Sequence, residues 1–274
     1  MLKTRILTAM VMLPLAFALV FIASLEWFAI IFAGLMIIGS WEFKRLGGMD
    51  KSVFGWLMIL IQSVVLFLLI QNSSMLLLHA PALLTAGCLI WFLMFIRLMT
   101  YRPGTGIDFQ YRIISFACSL AALTFAWIAM YTIFAGSDGP WWILLLLLII
   151  WSADTGAYFS GRLFGKRKLA PLISPSKTIA GFLGGILTAL AVGIIAVHFI
   201  DQINATVQQL IPLTLITALV SVAGDLFISL HKRKTGYKDS GHIFPGHGGV
   251  LDRFDSLLVG APFFALGKIL MDYL

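Results

Sequence analysis

The residues able to do chemistry gather in the second half of a chain that is otherwise mostly Leu, Ile, Phe and Ala. In WSADTGAYFSGRLFGKRKLAPLISPSKT, Asp154 lies inside an apolar run, Tyr158 falls four residues later on the same helical face, and Arg162 follows about two turns on. An intramembrane carboxylate is costly and marks a functional site by default, although a buried Asp can also be satisfied by nearby Ser or Tyr groups. Lys166, Arg167 and Lys168 follow, then SPSKT, whose Ser174, Ser176, Thr178 and Lys177 supply hydroxyls and a point charge. This segment is expected to open a helix whose free N–H groups favour an anion. In VAGDLFISLHKRK, Asp225, Ser229 and Lys232 have the spacing of one helical face. The loop TGYKDSGHIFPGHGG and the following DRFDS add Lys238, Asp239, His242, His247, Gly246, Gly248, Gly249, Asp252, Arg253 and Asp255.

These types limit the reaction. Carboxylates and hydroxyls without Cys suit Mg²⁺ rather than zinc. Asp252 and Asp255 share a face if a helix begins near Gly249, and the glycines before them read as backbone able to wrap phosphates. His242 and His247 lack the HExxH spacing and are expected to donate hydrogen bonds to ligand or backbone; His79 and His198 are expected to be structural. There is no GxxxxGK[ST] loop and no Ser-His-Asp or Cys-His arrangement. What remains favours transfer at a phosphorus centre, which needs charge neutralisation and alignment more than a protein nucleophile. An attacking phosphate, with a second pKa near 6, is already ionised at neutral pH and needs little help from a base. A transporter or channel is the alternative of a different class, since acidic residues in spans mark ion pathways. The charged groups gather on one side, however, and no matched pair of broken spans is evident.

The elements that must position these groups are membrane helices. The 274 residues are 60% hydrophobic and 11% charged, with mean hydropathy +0.99. Continuous apolar runs near the ~20 residues of a spanning helix predict an all-α polytopic protein with about nine spans and no β-barrel. The spans run approximately Ile6 to Ala23, Trp27 to Trp41, Val53 to Ile70, Met75 to Ile96, Ile113 to Phe134, Trp141 to Ser160, Ile179 to Ile200, Val207 to Leu230 and Ser256 to Tyr273. The second is short. Lys3, Arg5, Lys44, Arg45, Lys51, Arg97, Arg102, Arg112 and the later Lys and Arg clusters fall in alternate connections, while SLEW, QNSS, GSDGP and DQINAT have none. That alternation predicts a cytoplasmic N-terminus and an outer C-terminus. The first 25 residues read as a span rather than a cleaved signal. Cys88 and Cys118 read as small core residues, with neither disulfide nor zinc chemistry. The net charge of +7 is largely the topology signal and would draw the inner loops to anionic headgroups; no nucleic-acid partner is expected. The chain reads as one membrane domain, 1–274, with 1–134 as scaffold and 135–274 as the catalytic half.

Ser229 to Asp255, SLHKRKTGYKDSGHIFPGHGGVLDRFD, resembles the motif of the phosphatidate cytidylyltransferases (CDP-diacylglycerol synthases), with SxxKR, KD, PxHGG and DRxD at the same spacings. The similarity extends through DTGAYFSGRLFGK and SPxKT and covers effectively the whole chain. The resemblance implies transfer of CMP from CTP to phosphatidic acid, giving CDP-diacylglycerol and pyrophosphate. Carried over by position, it makes Asp225 and Asp252 the principal ligands of Mg²⁺, beside a monovalent cation such as K⁺, with Ser229, Asp239 and Asp255 completing or supporting that centre. It assigns Lys232, Arg233 and Lys238 to substrate phosphates with the His247, Gly248 and Gly249 backbone beside them, and makes Asp154, Lys177 and Arg253 candidates for the nucleotide pocket. A homodimer in the inner membrane, its active site facing the cytoplasm, is also implied. A CTP-dependent lipid kinase, transferring the γ-phosphoryl group, is the nearer alternative. The chain departs from the pattern at His231, a position usually apolar and expected here to face headgroups or protein, and at Ile179 and Ala180, where relatives carry an aromatic residue and Glu or Gln.

Overall fold

The computed structural model describes residues 2–99 and 106–273, and side chains at residue 8 and from residue 10 onward. Arg102 and the side chains of Lys3 and Arg5 lie outside the described residues. Among the described residues nine helices make up most of the chain: α1 Leu2–Phe21, α2 Leu25–Leu46, α3 Val53–Gln71, α4 Ser73–Met99, α5 Phe109–Ala135, α6 Gly139–Phe164, α7 Ile179–Phe199, α8 Val207–Thr235 and α9 Leu251–Asp272. Eight of them, α2 to α9, are long and apolar enough to cross a membrane, and α1 has a shorter apolar segment, Met10–Phe21. The chain is thus a helical, polytopic membrane protein.

One expectation is corrected and another sharpened. The second span is not short: α2 runs 22 residues and continues through Glu42 and Lys44, both buried. A polar residue can remain in a membrane helix when protein covers it, so the run did not end where its apolar character did. SPSKT does lead into a helix, α7, as expected, but is not itself helical. Ser174–Thr178 is a strand, β2, paired antiparallel with β1 (Lys168–Ala170) in a two-stranded hairpin. Pro175 has no N–H and holds Ser174 extended, which bars a helix there. Thr178 ends the strand and caps α7, its hydroxyl accepting from Gly181 N at 3.1 Å.

Packing explains where the site forms. One core cluster extends from Val20 in α1 to Ala265 in α9. α5 crosses its centre, with Trp127 Nε1 donating to Ala29 O of α2 at 3.0 Å. α6 and α7 meet backbone to backbone, because any side chain at Gly156, Gly184 or Gly185 would collide with the facing helix. This close pair, with α8 and α9 against it, leaves a cleft at the helix ends that carry the hairpin and the 236–250 loop.

Candidate active site

The cleft is a cavity of about 620 Å³ among α6, α7, α8, α9 and β2. Its lining combines the apolar Ala153, Ala157, Phe182, Ile186 and Val222 with Asp154, Lys177, Asp225, Lys232, Asp239, Asp252, Arg253 and Asp255. Eight of the residues expected from sequence therefore share one cavity.

Two lysine and carboxylate pairs organise it. Lys177 Nζ, from β2, sits 2.6 Å from Asp225 Oδ2, while Ser229 Oγ donates to Asp225 Oδ1 at 3.1 Å. The four-residue spacing of Asp225 and Ser229 on α8 produces that bond. Asp154 and Asp255 line the same cavity as this pair. Lys232, seven residues beyond Asp225, turns instead to α9 and meets Asp252 Oδ1 at 2.8 Å. The other oxygen of Asp252 accepts from Ser240 N at 2.7 Å and Gly249 N at 3.1 Å.

The remaining expected residues frame the cavity without lining it. Ser229 acts on Asp225 as above. Arg233 Nε donates to Ile173 O at 3.2 Å, tying α8 to the turn of the hairpin. Lys238 is exposed beside the cavity residue Asp239. His247 contributes its carbonyl, which accepts from Arg253 Nε at 3.1 Å, and its Nδ1 is buried without a partner among the described residues. Gly248 has φ +80°, a left-handed turn that glycine supplies without strain, and Gly249 packs on a carboxylate. These two glycines let the loop fold onto Asp252 and Glu42; they do not face the cavity. His242, His79 and His198 are exposed and outside it. His231 is buried, with Nδ1 2.9 Å from Phe227 O and its ring against Phe43 and Phe227, so it faces protein.

Glu42 was not singled out from sequence. It is 2% exposed and accepts from Ser240 Oγ, Val250 N and Leu251 N at 2.8, 2.9 and 2.9 Å. Ending the second span at Trp41 put Glu42 among the loop charges; an acid inside a longer apolar helix would have drawn attention.

The donor set is all oxygen, which fits Mg²⁺ rather than a softer metal. On both Asp225 and Asp252 an ammonium occupies the place a cation would take. Among the described residues no three acidic, His or Cys side chains converge closely enough to hold an ion by themselves. Mg²⁺ commonly keeps waters and substrate phosphates in its shell, so two carboxylates in a phosphate pocket are compatible with it.

The model of the cytidylyltransferase family matches residues 3–270. The chain belongs to that family. It is 33% identical to the phosphatidate cytidylyltransferase of Haemophilus influenzae, over 97% of this chain and 98% of that protein. It is 35% identical to the phosphatidate cytidylyltransferase of Pseudomonas aeruginosa, over 97% of this chain and 96% of that protein. With the phosphatidate cytidylyltransferase of Staphylococcus haemolyticus, identity is 49% over 48% of this chain and 51% of that protein. In this cytidylyltransferase, as the geometry places it, both lysine and carboxylate pairs come from the second half of the chain.

Proposed function

We propose that this protein transfers CMP from CTP to phosphatidic acid, forming CDP-diacylglycerol and releasing pyrophosphate. The observation that carries the reading is a single cavity that combines apolar lining for the lipid with Lys177, Lys232 and Arg253 for phosphates. A transporter would require polar groups through the depth of the bundle, whereas these collect at one end.

An oxygen of the phosphatidate phosphate attacks the α-phosphorus of CTP. The new P–O bond forms as the bond from the α-phosphorus to the α,β-bridging oxygen breaks, and that electron pair leaves with pyrophosphate. Lys232 and Arg253 hold the lipid phosphate in line, which removes much of the orientational barrier. Lys177 and Asp154 face the nucleotide, with Arg233 and Lys238 at the mouth drawing phosphates in from solvent. Asp225 and Asp252 are the residues to hold Mg²⁺, with Ser229, Asp239 and Asp255 supporting them and K⁺ nearby. Bound there, Mg²⁺ would offset charge on the nucleotide phosphates and the leaving group. Phosphatidate enters from the inner leaflet while CTP enters from the cytoplasm. An inner-membrane location, a cytoplasmic N-terminus and a homodimer belong to the same proposal. They rest on the distribution of Lys and Arg and on the family resemblance.

The test is incubation of purified protein with phosphatidate, Mg²⁺ and CTP labelled separately at the α and γ positions. Label from the α position is expected in lipid. Lipid labelled from the γ position would replace the synthase with a lipid kinase, and no lipid label from either would return the transporter.

A further inference from the structure

We infer that Glu42, in the half of the chain read as scaffold, is a positioning residue for the reaction: through Ser240 and the first turn of α9 it fixes where Asp252 stands. The inference rests on the reading of Asp252 as part of the reaction site.

α9 begins at Leu251, and Val250 before it offers no side-chain cap. The first N–H groups of a helix need acceptors, and burying them unpaired is costly. Both Val250 and Leu251 are essentially inaccessible to solvent, at 1% and 0% exposure. Their acceptor comes from 208 residues away: Glu42 Oε1 takes Val250 N and Oε2 takes Leu251 N, each at 2.9 Å. An acidic group at a helix N-terminus also matches the helix dipole. Asp252 is the next residue, so the orientation of its Cα–Cβ bond is set by that anchored turn.

A second connection runs through Ser240. Its hydroxyl lies 2.8 Å from Glu42 Oε2 and 3.0 Å from Asp252 Oδ2, and its single proton can serve only one of them. The carboxylates of α2 and α9 thus share one hydroxyl, and a shift at Glu42 is transmitted to Asp252. The loop is shaped to allow this approach, since any side chain at Gly241 or Gly249 would strike the Glu42 carboxylate. Lys44, two residues along α2, does not neutralise Glu42; it turns to Asp50 and the Trp56 ring. Other contacts from the same half support the loop, with Arg45 over the Tyr237 ring at 4.6 Å and Thr8 Oγ1 donating to Pro245 O at 2.8 Å.

Glu42→Gln keeps shape but presents an NH₂ to donors, so it should loosen the turn without opening the core. In purified full-length protein with saturating Mg²⁺, kcat should fall by about 10²-fold, the effect of misplacing a reacting group by roughly 1 Å. KM for CTP and phosphatidate should move far less, and amide hydrogen exchange should quicken in peptides covering Ser240–Asp252 alone. Ser240→Ala should show a smaller loss of the same kind, and the double variant should lose no more than Glu42→Gln does, because the two act in series. Parental kcat in Glu42→Gln overturns the inference, as does a kcat loss with exchange rising through every helix. If Glu42→Gln does not fold, Ser240→Ala decides: a folded variant with parental kcat and unchanged exchange is equally fatal. The exchange measurement needs no turnover. A fully active Asp252→Asn would therefore remove the site reading separately from the hold of Glu42 on the loop.

Discussion

Lys177 meets Asp225 at 2.6 Å and Lys232 meets Asp252 at 2.8 Å, yet the two pairs are built differently. In the first, the side chains are 22% and 30% exposed, and Asp225 has one further hydrogen bond, from Ser229. In the second, they are 18% and 7% exposed, and Asp252 also takes two backbone N–H groups and stands beside the Ser240 hydroxyl. The first carboxylate is held by few contacts besides its lysine. The second is part of the structure that ends the 236–250 loop and begins α9. A phosphate-transfer site gains from both, because one group must adapt to the incoming charge and another must keep its place.

The comparison is broken most directly at Asp225. Asp225→Asn should reduce kcat/KM by about 10³-fold, at the upper end for loss of one preorganised electrostatic group. Thermal stability should change little, because a partly exposed ion pair with few other contacts contributes only about 1 kcal/mol. Activity and detergent melting temperature, measured together, check both halves of the statement. If Asp225→Asn kept near-parental turnover, the proposed metal ligand would be lost.

Asp252→Asn should match that loss in turnover, at about 10²–10³-fold, but should also lower stability by about 1–3 kcal/mol. The amide places an NH₂ against either the Lys232 ammonium or the two backbone donors, leaving a buried group unsatisfied. The melting temperature should therefore separate the two variants although their kinetics look alike. Equal melting temperatures would erase the distinction between an adaptable and a built-in carboxylate.

How much of this was legible in the sequence depends on distance along the chain. The spans were readable because about 20 apolar residues in a row have few other uses, and the Asp225 and Ser229 bond follows from a four-residue spacing. Helix ends were harder: α2 reaches Leu46 and α8 reaches Thr235, past the apolar residues that suggested Trp41 and Leu230. Polar residues continue a helix when another element covers them, and the covering element is invisible locally. The same is true of Lys232, whose spacing suggested the Asp225 face but whose long side chain reaches α9. The hairpin was missed because strands of three and five residues, one with Pro175, look like loop. Glu42 shows the limit most clearly, since its partners Ser240, Val250 and Leu251 are about 200 residues away and nothing in WEF signals them.

A smaller effect is expected from Ser229→Ala. It removes the hydrogen bond that, among the described residues, steadies Asp225 besides its lysine, a contribution of about 1 kcal/mol, or roughly five-fold in kcat/KM. Fold and melting temperature should be retained. The added Mg²⁺ needed for half-maximal rate should rise, because a less restrained carboxylate is a poorer ligand; supporting hydrogen bonds of this type change metal affinity by about 10–100-fold. An unchanged Mg²⁺ requirement would show that Asp225 needs no such support, making the first pair looser still.

The smallest effect is expected at His231, which serves as the control for α8. It lies one residue before Lys232, yet its ring is 4.9 Å from Phe43 and 4.5 Å from Phe227, away from both carboxylates. Its Nδ1 contacts Phe227 O, a carbonyl within the helix, so His231→Leu removes one modest bond and keeps an apolar side chain of similar bulk. Turnover should stay within about two-fold and stability within about 1 kcal/mol. That outcome assigns the losses at Asp225, Ser229 and Asp252 to the groups themselves rather than to general disturbance of the helix. A large fall in kcat with an unchanged melting temperature would mean that the buried face of α8 also controls the cavity. The contrast between the pairs would then have to include the core that Phe43, from α2, presses against it.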